Sequence, residues 1–257
     1  MNSDHSFVDS KYLQSLADKI RPVKIRSYEL MNLKPDSIVL DVGCGPGIDT
    51  ATLFTQKVNQ GIVVGVDIDS NMVKAAQNAT KDTTRIGYFQ ANSYCLPFSH
   101  QSFDSVRSER LLQHLDQPQC AIAEMKRVCR KNGIIVVVDC DHSSLSIDTT
   151  QKDIEWKLRR SRTEQIPNGY SGRNLFRLLK KQGLCGVAIE LHTIAVHSYH
   201  LFRKFSCMDE AEQKALSSGC ITENELIKLN EELIDYDKKG VFTAYTVFII
   251  ASGKRKR

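Results

Sequence analysis

The chain has 257 residues, 41% of them hydrophobic and 25% charged, proportions that exclude a collagen-like, coiled-coil or disordered chain. That length suits one α/β domain with a small lid, large enough to bury a core without disulfide or metal staples. The net charge is +5, with four of those charges in Lys254-Arg255-Lys256-Arg257, so the near-neutral body argues against a broad nucleic-acid surface.

In chain order, helices are expected at 10–19 and 23–32, ahead of the sheet. Strands follow at 37–42, 62–67, 84–90, 103–107 and 133–139, alternating with amphipathic helices at 49–57, 71–81 and 118–130. This alternation is the signature of a parallel sheet covered by helices. Asn132-Gly133 reads as a left-handed cap ending the helix before it. From His142 to Gly172 the chain turns polar and basic, with a helix at 152–163, as an insertion over the sheet's C-terminal edge would. A helix at 172–182 with Gly183 as its cap, strands at 185–196 and 241–251, and helices at 209–217 and 222–236 complete the chain. Thr222-Glu223-Asn224-Glu225 is a capping box, and the two final strands suggest an antiparallel, hairpin-like finish.

The expectation is a single domain over 1–257. Its parts are an N-terminal helical lid (1–35), a ligand-binding core (36–140), a substrate-side insertion and helix (141–183), C-terminal strands and helices (184–251) and a basic tail (252–257). The tail is expected to be solvated and frayed. No apolar run approaches the ~20 residues of a membrane helix, and the N-terminus does not open a signal peptide. The eight cysteines contain no CxxC pair and no zinc-like spacing, so free thiols in a reducing cytoplasm and no metal are expected.

Ser37 to Gly47 is a buried-type strand entering a glycine turn, with a helix starting just after it. Gly43, Gly45 and Gly47 let the backbone turn sharply and approach a ligand, and the helix N-terminus favours an anionic group. The next strand ends in Asp67, about 20 residues on, the spacing expected for a carboxylate on ribose hydroxyls. A dinucleotide fingerprint needs glycine where this chain has Ile48. Asp41, before the turn, suits a ligand with a cationic centre.

These residues resemble the class I S-adenosylmethionine-dependent methyltransferases of the type 11 kind, over roughly 30–138. Asp41-Val42-Gly43-Cys44-Gly45-Pro46-Gly47 resembles the first family motif, and Val64 to Asp69 with Met72 the second. Asn92 to Phe98 resembles the adenine-side loop and Phe103 to Val106 the fourth strand; Gln113 to Asp116 and Arg127 to Gly133 continue the likeness. The resemblance implies a Rossmann-like seven-stranded, mostly parallel sheet with a reversed last strand and helices on both faces. It also implies S-adenosyl-L-methionine as cofactor, with Asp41, Gly43, Cys44, Gly45 and Gly47 toward the methionine part. Asp67 would take the ribose, Ile68 would flank the adenine, Asn92 and Ser93 would reach the adenine edge, and Met72 is counted with them as cofactor-binding. The family usually has Asp at the position of Asn92; Asn keeps an acceptor and loses the charge.

Arg107 and Arg110 follow or end the fourth strand, where they would orient an anionic acceptor or pair with Glu109. His114 is a candidate general base or a hydrogen-bonded helix-start residue. Tyr12 would cover the cofactor or pack on the sheet. Arg159, Arg160 and Arg162 line an acidic-substrate entrance or form a solvated helix face, and Trp156 packs or stacks. Motifs of nucleic-acid amino-, protein-arginine, C5-cytosine and arsenite methyltransferases are missing or incomplete. The resulting expectation is methyl transfer to an O, N or C atom of a small molecule. The alternatives are an RNA or protein methyltransferase recruited by the basic tail, and a non-catalytic cofactor-binding protein.

Overall fold

The computed structural model describes residues 20–81 and 83–256. The expected helix at 10–19 and Tyr12 lie outside the described residues. Helix α1 (Arg21–Leu30) starts with Pro22 in its first turn, where a missing N–H costs nothing, and Asn32 leaves it in a left-handed conformation. Strand β1 (Ile38–Val42) leads to α2 (Ile48–Gln56), β2 (Ile62–Asp67), α3 (Ser70–Ala79) and β3 (Ile86–Gln90). Strand β4 (Phe103–Glu109) is followed by a 3-10 turn (Leu112–His114), α4 (Pro118–Val128) and β5 (Cys129–Ile147). Helices α5 (Lys152–Glu164) and α6 (Ser171–Lys181), strand β6 (Cys185–Val196), helices α7 (Tyr199–Ser206), α8 (Met208–Ser217) and α9 (Glu223–Lys238), and β7 (Ala244–Lys254) complete the described chain.

The seven strands form one sheet in the order β3-β2-β1-β4-β5-β7-β6. β1 to β5 run parallel, with Asp41 beside Gly65 on one side and Arg107 on the other. β7 is antiparallel to both β5 and β6, so the fold is the Rossmann-like sheet with a reversed last strand. One face packs Ile122 and Met125 of α4 and Leu175 and Leu179 of α6. The other packs Val23 and Tyr28 of α1 and Leu53 of α2. Such large apolar side chains each stabilise the fold by roughly 1.5–3 kcal/mol on burial.

A second core, with Leu158, Phe202, Met208, Leu229, Leu233 and Phe242 in it, joins α5, α7, α8 and α9 to the ends of β5, β6 and β7. This helical cap stands at the edge where the parallel strands end, which is where open α/β sheets bind ligands. The cap therefore draws on both sides of β6, whereas α6, the helix expected after the insertion, packs on the sheet face. Among the described residues, no helix is long and apolar enough to cross a membrane.

The tail and the end of α4 depart from expectation together. α4 stops at Val128, and Asn132, with φ 64°, sits in a bulge where β5 shifts register against β4. The cap is Arg255: its guanidinium donates to the carbonyl oxygens of Lys126 (2.8 Å), Arg127 (2.9 Å) and Cys129. A cation on the last carbonyls of a helix replaces the glycine cap. Backbone bonds between Arg255, Asn132 and Gly133 extend the sheet, so the expected frayed tail is ordered through Arg255.

Candidate functional site

The glycine turn is closed by its own backbone. Gly43 N and Cys44 N both donate to Val66 O, at 2.8 and 3.0 Å, and Gly47 N to Cys44 O at 3.1 Å. Gly47 has φ 79°, and a Cβ there would lie 2.6 Å from the Tyr88 hydroxyl oxygen; at Gly43, φ 74°, a Cβ would lie 3.0 Å from Leu111 Cδ1. Both positions therefore need glycine for conformation and for space. Cys44 is buried among Val73, Ala76 and Tyr88, and burial pushes its thiol up, so it packs beneath the turn as a neutral group.

Asp67, at the end of β2, ties the turn to the sheet. Its Oδ2 accepts from Gly45 N at 2.8 Å and its Oδ1 from Asp69 N at 3.0 Å. Burial raises its pKa. Ile68 is exposed beside it, and Met72 is half-buried in the first turn of α3, whose N-cap is Asp69. Asn92 is exposed and uses Oδ1 to accept from Tyr94 N at 2.9 Å, shaping its own loop; Ser93 is buried. Arg127 clamps that loop through the carbonyls of Leu96 (2.8 Å) and Phe98 (2.7 Å), while Glu124 accepts from Leu96 N at 2.7 Å.

Behind the turn lies an ion network. Asp49, in the first turn of α2, accepts from Lys24 Nζ at 2.6 Å and from the Tyr28 hydroxyl. Lys24 Nζ also lies 3.1 Å from Glu109. Arg107 is fully buried; it donates to Ser27 Oγ at 3.0 Å, Asp41 Oδ1 at 3.4 Å and Glu109, under the ring of Tyr28. Arg107 is thus a structural cation: of the two roles expected for it, the geometry shows the pairing with Glu109 and not the acceptor contact, since its donors face three carboxylates inside the fold. Burial raises Asp41 to about 6 against the pull of Arg107. Burial also pushes Asp49 up, but Arg107 and Lys24 outweigh it and hold it below the usual carboxylate range. Lys24 and Tyr28, four residues apart on one face of α1, were missed in the sequence; that inward polar spacing was the only signal.

Arg110 follows β4 in a left-handed conformation, φ 51°, with its N–H on Val138 O at 2.8 Å. Such strain in a residue with a side chain costs about 1–3 kcal/mol and clusters at functional sites. Its Nε is 3.4 Å from Glu109, and its charge lowers the pKa of His114. His114 lies in the 3-10 turn with Nε2 3.0 Å from Gln113 Nε2; burial, then Arg110, lower it to about 4. Gln113 Oε1 is 2.8 Å from His142 Nε2, and His142 Nδ1 is 3.2 Å from Arg162 Nη1. Of the α5 arginines, Arg162 and Arg159 turn inward, Arg159 to Ser143 O, while Arg160 pairs with Glu164 outside and covers the exposed Trp156.

Residues 40–137 match a family of methyltransferase domains. An uncharacterized methyltransferase of Schizosaccharomyces pombe is 28% identical over 230 residues, spanning 85% of this chain and 78% of its own. A demethylmenaquinone methyltransferase of Staphylococcus carnosus is 30% identical over 122 residues, 48% of this chain and 51% of its own. The family match, the relatives and the fold support a class I S-adenosylmethionine-dependent methyltransferase. Among solved structures, phosphoethanolamine N-methyltransferase 2 of Haemonchus contortus in complex with S-adenosyl-L-methionine has the same fold. The match has a TM-score of 0.61 at 14% identity, over 99% of this methyltransferase and 59% of that chain. The methyltransferase is an enzyme, and S-adenosylmethionine is its cofactor.

Proposed function

We propose that the methyltransferase acts on a small molecule with an acidic or anionic group, held by Arg110 at the C-terminal edge of β4. The observation that carries this reading is the strained left-handed backbone of Arg110, beside His114 and below the helical cap. A planar, permanently charged guanidinium there suits a phenolate, carboxylate or phosphate. The demethylmenaquinone methyltransferase among its relatives supports a small-molecule acceptor. The ordering of Arg255 weighs against nucleic acid or protein recruited by a free basic tail. Eight unpaired cysteines suit the reducing cytoplasm.

S-adenosylmethionine, when bound, supplies a methyl group made electrophilic by a cationic sulfur. The cradle fits it. Both Asp67 oxygens are oriented by backbone N–H groups and keep lone pairs for the two ribose hydroxyls. Ile68 with Met72 offers an apolar flank for the adenine, and Asn92 with Ser93 the polar edge. The 43–47 turn, including the backbone of Cys44, takes the methionine end, and Asp41 supports the turn from beneath, its two oxygens accepting from Thr50 and Arg107 inside the fold. Arg110 orients the acceptor, and the cap of α5, α7, α8 and α9 excludes water. Positioning of this kind is worth up to about 7–11 kcal/mol. His114 is a poor general base in this arrangement, because burial and then Arg110 lower it to about 4.

The test is a metabolite extract incubated with the protein and deuteromethyl S-adenosylmethionine, read by mass spectrometry. A small acidic molecule carrying the heavy methyl supports the reading. Label confined to protein or RNA overturns it.

A further inference from the structure

Arg162 can only donate hydrogen bonds. Its Nη1 lies 3.2 Å from His142 Nδ1, so Nδ1 is the acceptor and a neutral His142 carries its hydrogen on Nε2. His142 Nε2 lies 2.8 Å from Gln113 Oε1, so the Gln113 amide is turned with its oxygen toward His142. Gln113 Nε2 then faces His114 Nε2 at 3.0 Å and donates to it, which leaves the His114 hydrogen on Nδ1. Each step has one polarity, and the sign is set at the start by a group with no lone pair to offer. His142 is neutral, since burial, Arg162, His114 and Arg110 all lower its pKa.

Both ends of the chain are anchored. Arg162 Nε donates to Ser206 O at 2.9 Å, so the guanidinium is seated between α5 and the end of α7. Gln113 N donates to Asp139 Oδ2 at 3.0 Å, and Gln113 O accepts from Asn168 N at 2.9 Å. The amide therefore turns about a fixed backbone.

We propose that Arg162 is a positioning residue: from the helical cap, through His142 and Gln113, it fixes His114 as the Nδ1–H tautomer at the acceptor edge. This rests on the reading that the acceptor lies beside Arg110 and His114. His114 is thereby kept as a hydrogen-bond donor with its lone pair engaged, and a correctly seated cap is what sets it.

The experiment is a long-range proton–nitrogen correlation spectrum of histidine-labelled protein, with His114 and His142 assigned by single substitution. The parent is expected to show His114 protonated on Nδ1 and His142 on Nε2. Arg162→Met is expected to release both histidines into mixed tautomers, and Arg162→Lys, which still only donates, to restore them. Gln113→Leu is expected to release His114 alone. Where Arg162→Met does not fold, the other two variants carry the test. Methyl transfer from deuteromethyl cofactor into extract should fall by roughly tenfold to a hundredfold in Arg162→Met and Gln113→Leu, as for a misplaced reacting partner. S-adenosylhomocysteine affinity should stay within about twofold.

A parent His114 protonated on Nε2, or a His114 tautomer unmoved in Gln113→Leu, overturns the chain. Shifted tautomers with undiminished transfer overturn the positioning role. No labelled product from the parent overturns the acceptor reading and the role built on it, while the spectra decide the chain by themselves.

Discussion

Gly45 N donates to Asp67 Oδ2 over 2.8 Å, so the glycine turn after β1 and the acid ending β2 are one hydrogen-bonded unit. Asp67→Ala should therefore cost cofactor affinity twice, through the ribose and through the turn. Each charge-assisted bond is worth about 1.5–3 kcal/mol, and a neutral one about 0.5–1.5 kcal/mol. Asn92→Ala, which loses an Asx-type bond to Tyr94 N, should cost much less. Titration of both folded variants with S-adenosylhomocysteine checks the ranking, and equal losses contradict it.

Arg110→Gly removes the strain of φ 51° and should leave stability unchanged or raise it, by up to about 1–3 kcal/mol. The same change should depress methyl transfer while the cofactor dissociation constant stays within a few-fold. Arg110→Lys keeps the charge, loses the planar fork and should remain impaired. Urea unfolding paired with a transfer assay reads both quantities; collapse of cofactor binding would move Arg110 into the cofactor site or the fold.

Arg255→Ala should lower stability by about 1–3 kcal/mol, because the carbonyls at the end of α4 lose their donor. Deleting Lys256 and Arg257 removes as much or more charge and should have little effect. The urea midpoints of the two variants separate capping from charge.

Burial raises Asp139 to about 7. The native state then keeps a proton that the unfolded chain loses near about pH 4, so Asp139 takes away stability as pH rises from about 4 to about 7. His114 and His142, held below their ordinary value, act in the opposite direction, gaining stability as pH rises toward about 6.5. The readout is therefore a difference: relative to the parent, Asp139→Asn should gain stability progressively between about pH 4 and pH 7. A difference independent of pH refutes the raised carboxyl.

The strand, turn, helix, strand and acid of the cofactor side were legible because they lie within about thirty residues and obey local rules. The structure keeps β2 at Ile62–Asp67 and β6 at Cys185–Val196, with the boundaries expected for both. Helix α7 was missed: it spans only Tyr199–Ser206, carries Arg203 and Lys204 among its aromatics, and gains its order from burying Phe202 in the cap. The Lys24, Asp49, Arg107 and Glu109 network joins residues far apart in the chain, so no spacing announces it. For the same reason the sequence left Arg107 open between an acceptor contact and a pair with Glu109, and only the fold supplies Asp41 and Asp49 as its further partners. The Arg162, His142, Gln113 and His114 chain depends on how α5 meets β5, which only the folded cap decides.

The most direct test is calorimetric titration of one preparation with S-adenosylmethionine and, separately, with NAD. A saturable heat with S-adenosylmethionine, greatly weakened in Asp67→Ala, and none with NAD is the predicted result. Binding of NAD without binding of S-adenosylmethionine would contradict the account.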